Sequence, residues 1–187
     1  MRQELRHHLL PLLGIFILVS IVWIIYKVSP INFVALFFGL AIGAFALDTD
    51  HFIYWFFLYP NLDESQQAKI FLTNKKYKKL LKLLENTHKN HTSLVFHHYF
   101  FQAILLLITF FVFTSTTSVF PKAILLALNI HLLVDEIVDF RVDKKHLQDW
   151  LFAREEKQLA LNSLTYYIGT FVLVNVVYLF ILINSKL

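Results

Sequence analysis

The chain has no cysteine, one methionine, and only four glycines and four prolines among its 187 residues. Without cysteine there is neither a disulfide framework nor a zinc site built on thiolates. Charge is also scarce, because 16% of the residues are charged against about 25% in a typical soluble domain. This shortage of charge, in a chain so rich in apolar residues, excludes a disordered tail.

Apolar side chains take the place of the missing residue types. Hydrophobic residues make up 57% of the chain and phenylalanine alone occurs 20 times. A soluble protein of this length has too small a core to bury so much apolar surface. The composition therefore excludes a soluble enzyme and indicates an integral membrane protein.

Five apolar segments are long enough, or nearly so, to cross a membrane as helices, since about 20 residues span a hydrocarbon core of about 30 Å. We predict an all-α fold, a polytopic membrane helical bundle that forms a single integral membrane domain over residues 1–187. The predicted spans are residues 9–28, 31–59, 93–113, 119–140 and 164–183. Charges interrupt the second span at Asp48, so its helix either continues to Tyr59 or stops before an interfacial segment.

Lysine and arginine lie almost entirely on one side of this predicted topology. Five crossings put the N-terminus and the loops 60–92 and 141–163 on the same side, which holds all but three of the 17 basic residues. The exceptions are Lys27, Lys122 and Lys186. Because basic loops stay in the cytoplasm, we predict a multi-pass protein of the cytoplasmic (inner) membrane with a cytoplasmic N-terminus.

Residues 66–85 of the first long loop alternate leucine with lysine, a pattern typical of an amphipathic helix. Such a helix is solvated or lies on anionic headgroups, which makes membrane lipid an expected partner. Beyond Tyr77 no aromatic side chain is interleaved with the lysines, so nucleic acid is not expected as a partner.

All nine histidines and all 13 acidic residues lie in the cytoplasmic half of the predicted bundle or in its loops. Three groups of them lie in or against apolar segments: Asp48-Thr49-Asp50-His51, His88-Lys89-Asn90-His91 followed by His97-His98, and the stretch from His131 to Asp139. Side chains four residues apart share one helix face, so His131, Asp135 and Asp139 form a polar stripe. The topology places all three groups at one membrane depth.

The buried carboxylates of these groups need compensation, because each costs about 2.5–3.5 kcal/mol within a bilayer. No lysine or arginine in the apolar runs is placed to pair with Asp48, Asp135 or Asp139. Imidazole beside carboxylate is a ligand mixture that suits zinc, manganese or iron. The groups outnumber the ligands of one zinc ion, which favours two ions or a second layer of supporting residues.

Other interpretations of these residues remain open. The clusters could serve polar helix packing, whereas a proton or ion pathway would require polar residues that continue to the outer side, where the third and fifth spans are mainly apolar. We expect His97 and His98 to be interfacial aromatic residues, His7 and His8 to be ordinary flanking residues, and His146 to be a loop residue.

The three groups resemble the blocks of a known family, the bacterial inner-membrane, metal-dependent hydrolases of the LexA-regulated type. That family carries Pro-Asp-x-Asp-His, His-Arg-Gly-x-Thr-His-Ser and Ser-His-x-x-x-Asp in this order. The corresponding segments here are Leu47-Asp48-Thr49-Asp50-His51, His88-Lys89-Asn90-His91-Thr92-Ser93 and Ile130-His131-Leu132-Leu133-Val134-Asp135. Their order and spacing agree over about 90 residues, and the middle block diverges most. The resemblance implies a metal site formed by Asp48, Asp50, His51, His88, His91, His131 and Asp135.

The resemblance further implies hydrolysis assisted by one or two divalent ions, with zinc or manganese expected. Glu136 or Asp139 is then the candidate general base, and a lipid or lipid-linked phosphoester suits a site at headgroup level. The alternative is a non-enzymatic membrane subunit whose Asp/His cluster serves helix packing, ion binding or coupling to a partner. Its expected partners are a second copy of the chain or another membrane protein.

Overall fold

The computed structural model describes residues 2–153 and 155–185, with side chains from His8 onward. No strand forms in this part of the chain, which confirms the all-α class. Its α-helices are α1 (Arg2–Ile25), α2 (Pro30–Ala46), α3 (Asp50–Ile53), α4 (Asp63–Thr73), α5 (Tyr77–Thr87), α6 (Tyr99–Ser115), α7 (Val119–Val142), α8 (Lys144–Leu151) and α9 (Leu164–Asn184).

Within the described residues, three segments are long and apolar enough to cross a membrane, and they indicate a membrane protein. They are His8–Ile25, Pro30–Leu58 and Leu161–Asn184. The second settles the choice left open at Asp48, because the helix runs on through a 3-10 turn at Leu47–Thr49, then α3, then a π-helical segment at Tyr54–Leu58. It ends one residue before Tyr59.

The other two predicted spans differ from a simple membrane-crossing helix, so the five-span bundle is not established. The third is shorter than predicted, since residues 91–98 are not helical and α6 begins only at Tyr99. Asp50 holds this stretch by accepting the backbone N–H of Phe96, and the His98 ring accepts the N–H of Phe100 to cap α6. The fourth, α7, is long, but it carries Lys122, Asp135, Glu136, Asp139 and Arg141.

The amphipathic helix predicted over residues 66–85 is divided into two helices, α4 and α5. Lys75 adopts a left-handed backbone with φ of 55°, which no helix continues through. The side-chain amide of Asn74 binds the Ile70 carbonyl at the end of α4. Lys69 therefore lies on α4 and the other lysines lie on α5 or on the turn before it. Leu80 anchors α5 in a small core with Tyr54 and Trp55.

Helix α7 is the centre of the bundle and touches α1, α2, α6, α8 and α9. Its closest neighbour is α2, where Gly39 and Gly43 face Ala123 and Ala127. A Cβ added at Gly43 would lie 2.5 Å from the Ala127 Cβ and 2.7 Å from the Ile124 carbonyl oxygen. Two small residues spaced four apart on each helix let the backbones approach this closely.

The chain direction gathers the polar groups at one end of the bundle. At the opposite end, the Trp23 indole N–H donates to the Ile183 carbonyl at 2.9 Å and joins α1 to α9. Between the two ends lies an apolar core that includes Val19, Leu36 and Leu126. Large apolar side chains such as Phe110 and Phe180 cover the outside, as expected for surfaces that face lipid.

Glycine 43 provides a test of this packing. Gly43→Ala should destabilise the fold by about 1–3 kcal/mol, because the added methyl overpacks the α2–α7 contact. Gly169→Ala is the matched control, since a Cβ there meets nothing within 4 Å and alanine favours a helix by up to about 1 kcal/mol. Thermal unfolding in detergent, followed by circular dichroism, measures both. Equal stability of the two variants would contradict the close contact.

Candidate metal centre

Asp135 on α7 lies among imidazole side chains that come from three different segments. Its Oδ1 is 3.3 Å from Nε2 of His8. Its Oδ2 is 3.4 Å from Nε2 of His131 and 3.5 Å from Nε2 of His97. One ligand atom each from His8, His131 and Asp135 lies within 4.8 Å of the other two, so these residues could hold a metal ion.

His131 is fixed by α2 and by α1. Its Nδ1 lies 2.8 Å from the Ala44 carbonyl oxygen, and because a carbonyl only accepts, Nδ1 carries the proton. The Nε2 lone pair is therefore free to bind a metal ion. The His8 ring stacks on the His131 ring with centroids 4.0 Å apart, and Asp48 Oδ1 lies 3.5 Å from the same Nε2.

His97 is fixed by Asp50, which is completely buried. The Asp50 carboxylate lies 3.3 Å from His97 Nδ1, so it accepts the Nδ1 proton while Nε2 is directed to Asp135. A carboxylate behind a histidine is the usual support for a metal ligand, since it fixes the tautomer and the ring orientation. Asp50 thus belongs to the site through His97.

The separations around Asp135 match those between neighbouring ligands of one small divalent ion. Ligands bound at about 2.0–2.1 Å to a tetrahedral zinc ion stand about 3.3–3.4 Å from one another, close to the distances found here. Nearby, His8 Nδ1, Asp50 Oδ1 and His51 Nε2 are buried without a hydrogen-bond partner among the described residues.

A second group of imidazoles adjoins the first. His91 Nε2 lies 3.2 Å from Glu64 Oε1, and His91 Nδ1 lies 2.7 Å from Nδ1 of His51. Burial and the neighbouring His88 lower the pKa of His91 to about 4, so this ring is neutral at pH 7. Burial also raises the pKa of Glu64.

The hydrogen bonds of this second group indicate which ring nitrogens of His51 and His91 carry protons. If His91 donates Nε2–H to Glu64, its Nδ1 must accept from His51 Nδ1–H, because a neutral imidazole carries one proton. His51 Nε2 then has a lone pair and no partner among the described side chains. The His88 ring lies 4.6 Å from the His51 ring, and the His51 ring lies 6.2 Å from the His97 ring of the group around Asp135.

A cavity of about 340 Å³ opens onto both groups. His8, His97 and Asp135 line one side of it, and His88 and His91 another. The two predicted general bases differ in position. Asp139 lines the cavity, accepts the indole N–H of Trp150 at 2.8 Å and lies 3.6 Å from His146.

Glu136, in contrast, is fully buried and is not among the residues that line the cavity. It points instead toward Gln102, whose side chain accepts the hydroxyl proton of Tyr167. One helical step of about 100° separates it from Asp135, which is enough to turn its carboxylate into the core. The structure therefore places the Glu136 carboxylate away from the cavity.

Three histidines are placed differently from their expected roles. His8 and His97 contact Asp135 instead of flanking the spans, and His146 contacts Asp139 at the cavity. His98 caps α6, whereas the side chain of His7 lies outside the described part of the structure. In the sequence, the sign that His8 belongs to the site is its position at the start of an apolar span, at the same depth as the other groups.

Comparison with known protein families, with curated proteins and with solved structures finds no match to this chain. What the site can do follows from its donor atoms. Imidazole nitrogens and carboxylate oxygens together bind zinc, manganese or iron in preference to soft ions.

Asp135 should be essential for metal binding. We expect Asp135→Asn to weaken metal affinity by about 100-fold or more, the upper end of the loss seen when only a supporting residue is removed. Asp149→Asn is the control, because Asp149 pairs with Lys145 on the surface. Elemental analysis and thermal unfolding of both variants, with and without chelator, test this.

The same substitution distinguishes a metal site from polar packing by its dependence on chelator. If no ion binds, Asp135→Asn only exchanges a charged partner of His8, His97 and His131 for a neutral one, and chelator changes the stability of neither protein. A parent protein that holds no metal and ignores chelator, beside an equally stable Asp135→Asn variant, would contradict the metal site.

Proposed function

We propose that this protein is a membrane-embedded, metal-dependent hydrolase with its site at the cytoplasmic face of the membrane. The observation that supports this proposal is the convergence of His8, His131 and Asp135, whose ligand atoms lie within 4.8 Å of one another beside a cavity. The resemblance of the three Asp/His blocks to the metal-dependent hydrolases points to the same chemistry. Zinc or manganese, as one or two ions, suits the donor set.

The ion would be held by His8, His131 and Asp135, with Asp48 and His97 within reach of the same point. A divalent ion supplies polarisation of a phosphoryl or acyl oxygen and makes water more acidic. The protein supplies orientation, because Ala44 fixes the His131 tautomer and Asp50 fixes that of His97. The group of His51, His88 and His91 is the candidate for a second ion.

Asp139 is the residue best placed to accept a proton from the attacking water. It lines the cavity on the same helix as Asp135, one turn further on. The Trp150 indole holds its carboxylate in place, which a general base requires. Lys89 at the cavity wall brings positive charge toward an anionic substrate such as a lipid or lipid-linked phosphoester.

The proposed topology has five crossings and an N-terminus in the cytoplasm, in the inner membrane of a bacterium. Helices α6 and α7 would form two further crossings, in addition to the three segments that are long and apolar enough to span a membrane. The site lies at the end of the bundle where α4, α5, α8 and the segments beside them carry most of the lysines. Positive loops on the cytoplasmic side support this orientation.

Hydrolysis should depend on Asp139 without loss of the metal. We expect Asp139→Asn to lower the hydrolysis of phosphatidic acid in mixed micelles by about 100-fold or more, the usual contribution of a general base. Bound metal should stay at the parental level, and Asp149→Asn should remain active. Full activity of Asp139→Asn would refute this role, and metal binding without any phosphoester hydrolysis would favour the non-enzymatic alternative.

Surface labelling tests the orientation, because the chain has no native cysteine. Gln67 on α4 and Thr117 between α6 and α7 are both exposed, and the proposed topology puts them on opposite sides. A membrane-impermeant maleimide added to intact cells should label Thr117→Cys and spare Gln67→Cys. The reverse pattern would overturn the orientation.

A further inference from the structure

A second cavity lies between α1 and α2 and is entirely apolar in its lining. Its volume is about 350 Å³, and only leucine, phenylalanine and alanine side chains from residues 9–16 and 37–44 form it. Eight residues of helix correspond to a groove about 10–12 Å long. Both helices belong to segments that are long and apolar enough to span a membrane, so the groove opens toward lipid.

The shape of the groove favours a single hydrocarbon chain as its occupant. Its floor consists of Leu12, Leu40 and Ala44, which are almost fully buried, and α1 and α2 are in contact with each other. Its walls include Leu10 and Leu13, which are largely exposed. A partner helix is about 10–12 Å across with its side chains and can only pack over the outside of two helices in contact, whereas a single hydrocarbon chain fits in the groove between their side chains. The Phe16 and Phe37 rings meet edge to face 5.8 Å apart, at the end far from the metal centre.

The other end of the groove joins the metal centre directly. Leu9 in the groove follows His8 in the chain, and Ala44 in the groove accepts the His131 Nδ1 proton. His8 and His131 are two of the three residues around the candidate ion. An apolar groove that ends at a cation site matches a molecule with a hydrocarbon tail and an anionic head.

We propose that this groove binds one acyl chain of a phosphate-bearing membrane lipid and so holds the lipid phosphate at His8, His131 and Asp135. The assignment rests on the proposed metal site for the binding of the phosphate, and on the proposed function for the hydrolysis of that lipid. An acyl chain gains little free energy by leaving the bilayer for an equally apolar groove. The phosphate therefore provides the affinity, and the groove fixes the depth and direction from which it reaches the ion.

Photo-crosslinking tests the groove without requiring turnover. The full-length protein is reconstituted in vesicles of digalactosyldiacylglycerol, a bilayer lipid without phosphate, that contain a small fraction of phosphatidic acid with a diazirine in one acyl chain. After irradiation, mass spectrometry should find crosslinks concentrated on residues 9–16 and 37–44. A diacylglycerol with the same diazirine chain lacks the phosphate. It should therefore label lipid-facing residues such as Phe110 and Phe180 as strongly as it labels the residues of the groove.

Filling the groove provides the matched variants. Ala41→Trp places a large ring in the groove from the α2 side, and Leu13→Trp does so from the exposed α1 wall if the first variant folds poorly. Ile42→Trp is the control, because Ile42 is exposed on α2 but does not line the groove. The groove variants should lose the phosphate-dependent crosslinks, and the control should keep them. Evenly scattered crosslinks, or crosslinks that the groove variants retain, would overturn the proposal.

Turnover separates the two proposals. Ala41→Trp should lower kcat/KM for long-chain phosphatidic acid by about tenfold or more through loss of positioning, while hydrolysis of p-nitrophenyl phosphate stays unchanged. An equal effect on both substrates would contradict the groove and leave the hydrolase intact. Phosphate-dependent crosslinks in a protein that hydrolyses neither compound would support the groove and refute the hydrolase.

Discussion

The contact between α2 and α7 is the constraint on which the site depends. Gly39 and Gly43 leave no room for a side chain against Ala123 and Ala127, so the two backbones run closer than ordinary helices do. This closeness brings the Ala44 carbonyl within hydrogen-bonding distance of His131. A wider spacing would leave the imidazole free to change tautomer and would separate Asp48 from His131. Packing of the smallest residues thus determines the chemistry of an ionisable group one turn away.

A half-buried carboxylate in an apolar bundle has to be compensated, and here the compensation is spread over several segments. Three imidazoles surround Asp135. The Ala44 carbonyl oxygen holds the His131 ring, and the Asp50 carboxylate holds the His97 ring. The non-helical stretch 91–98 is part of the same arrangement, because Asp50 also binds the Phe96 N–H. The late start of α6, at Tyr99, is therefore a consequence of placing His97 beside Asp135.

Much of this arrangement follows from local sequence, and the remainder does not. The stripe of His131 and Asp135 is visible from their spacing, and the order of the Asp/His groups predicts that they meet at one end of the bundle. The role of His8 depends on a contact across more than a hundred residues, and its position at the start of an apolar span does not identify the partner. Glu136 and Asp139 look equivalent in the sequence, yet helix rotation sends one into the core and the other to the cavity. The break at residues 91–98 arises from a long-range hydrogen bond, which apolar periodicity cannot reveal.

The polarity of α7 has a consequence for how the protein is made. A helix that carries Lys122, Asp135, Glu136, Asp139 and Arg141 enters a lipid phase poorly by itself. In the finished molecule five other helices surround it, and α1 and α2 leave the ribosome before it. The face of α2 that contains Gly39 and Gly43 therefore stays uncovered until α7 has been synthesised. Biogenesis is most vulnerable during that interval, when a membrane insertase or chaperone that shields the small-residue face of α2 would increase the yield of folded protein.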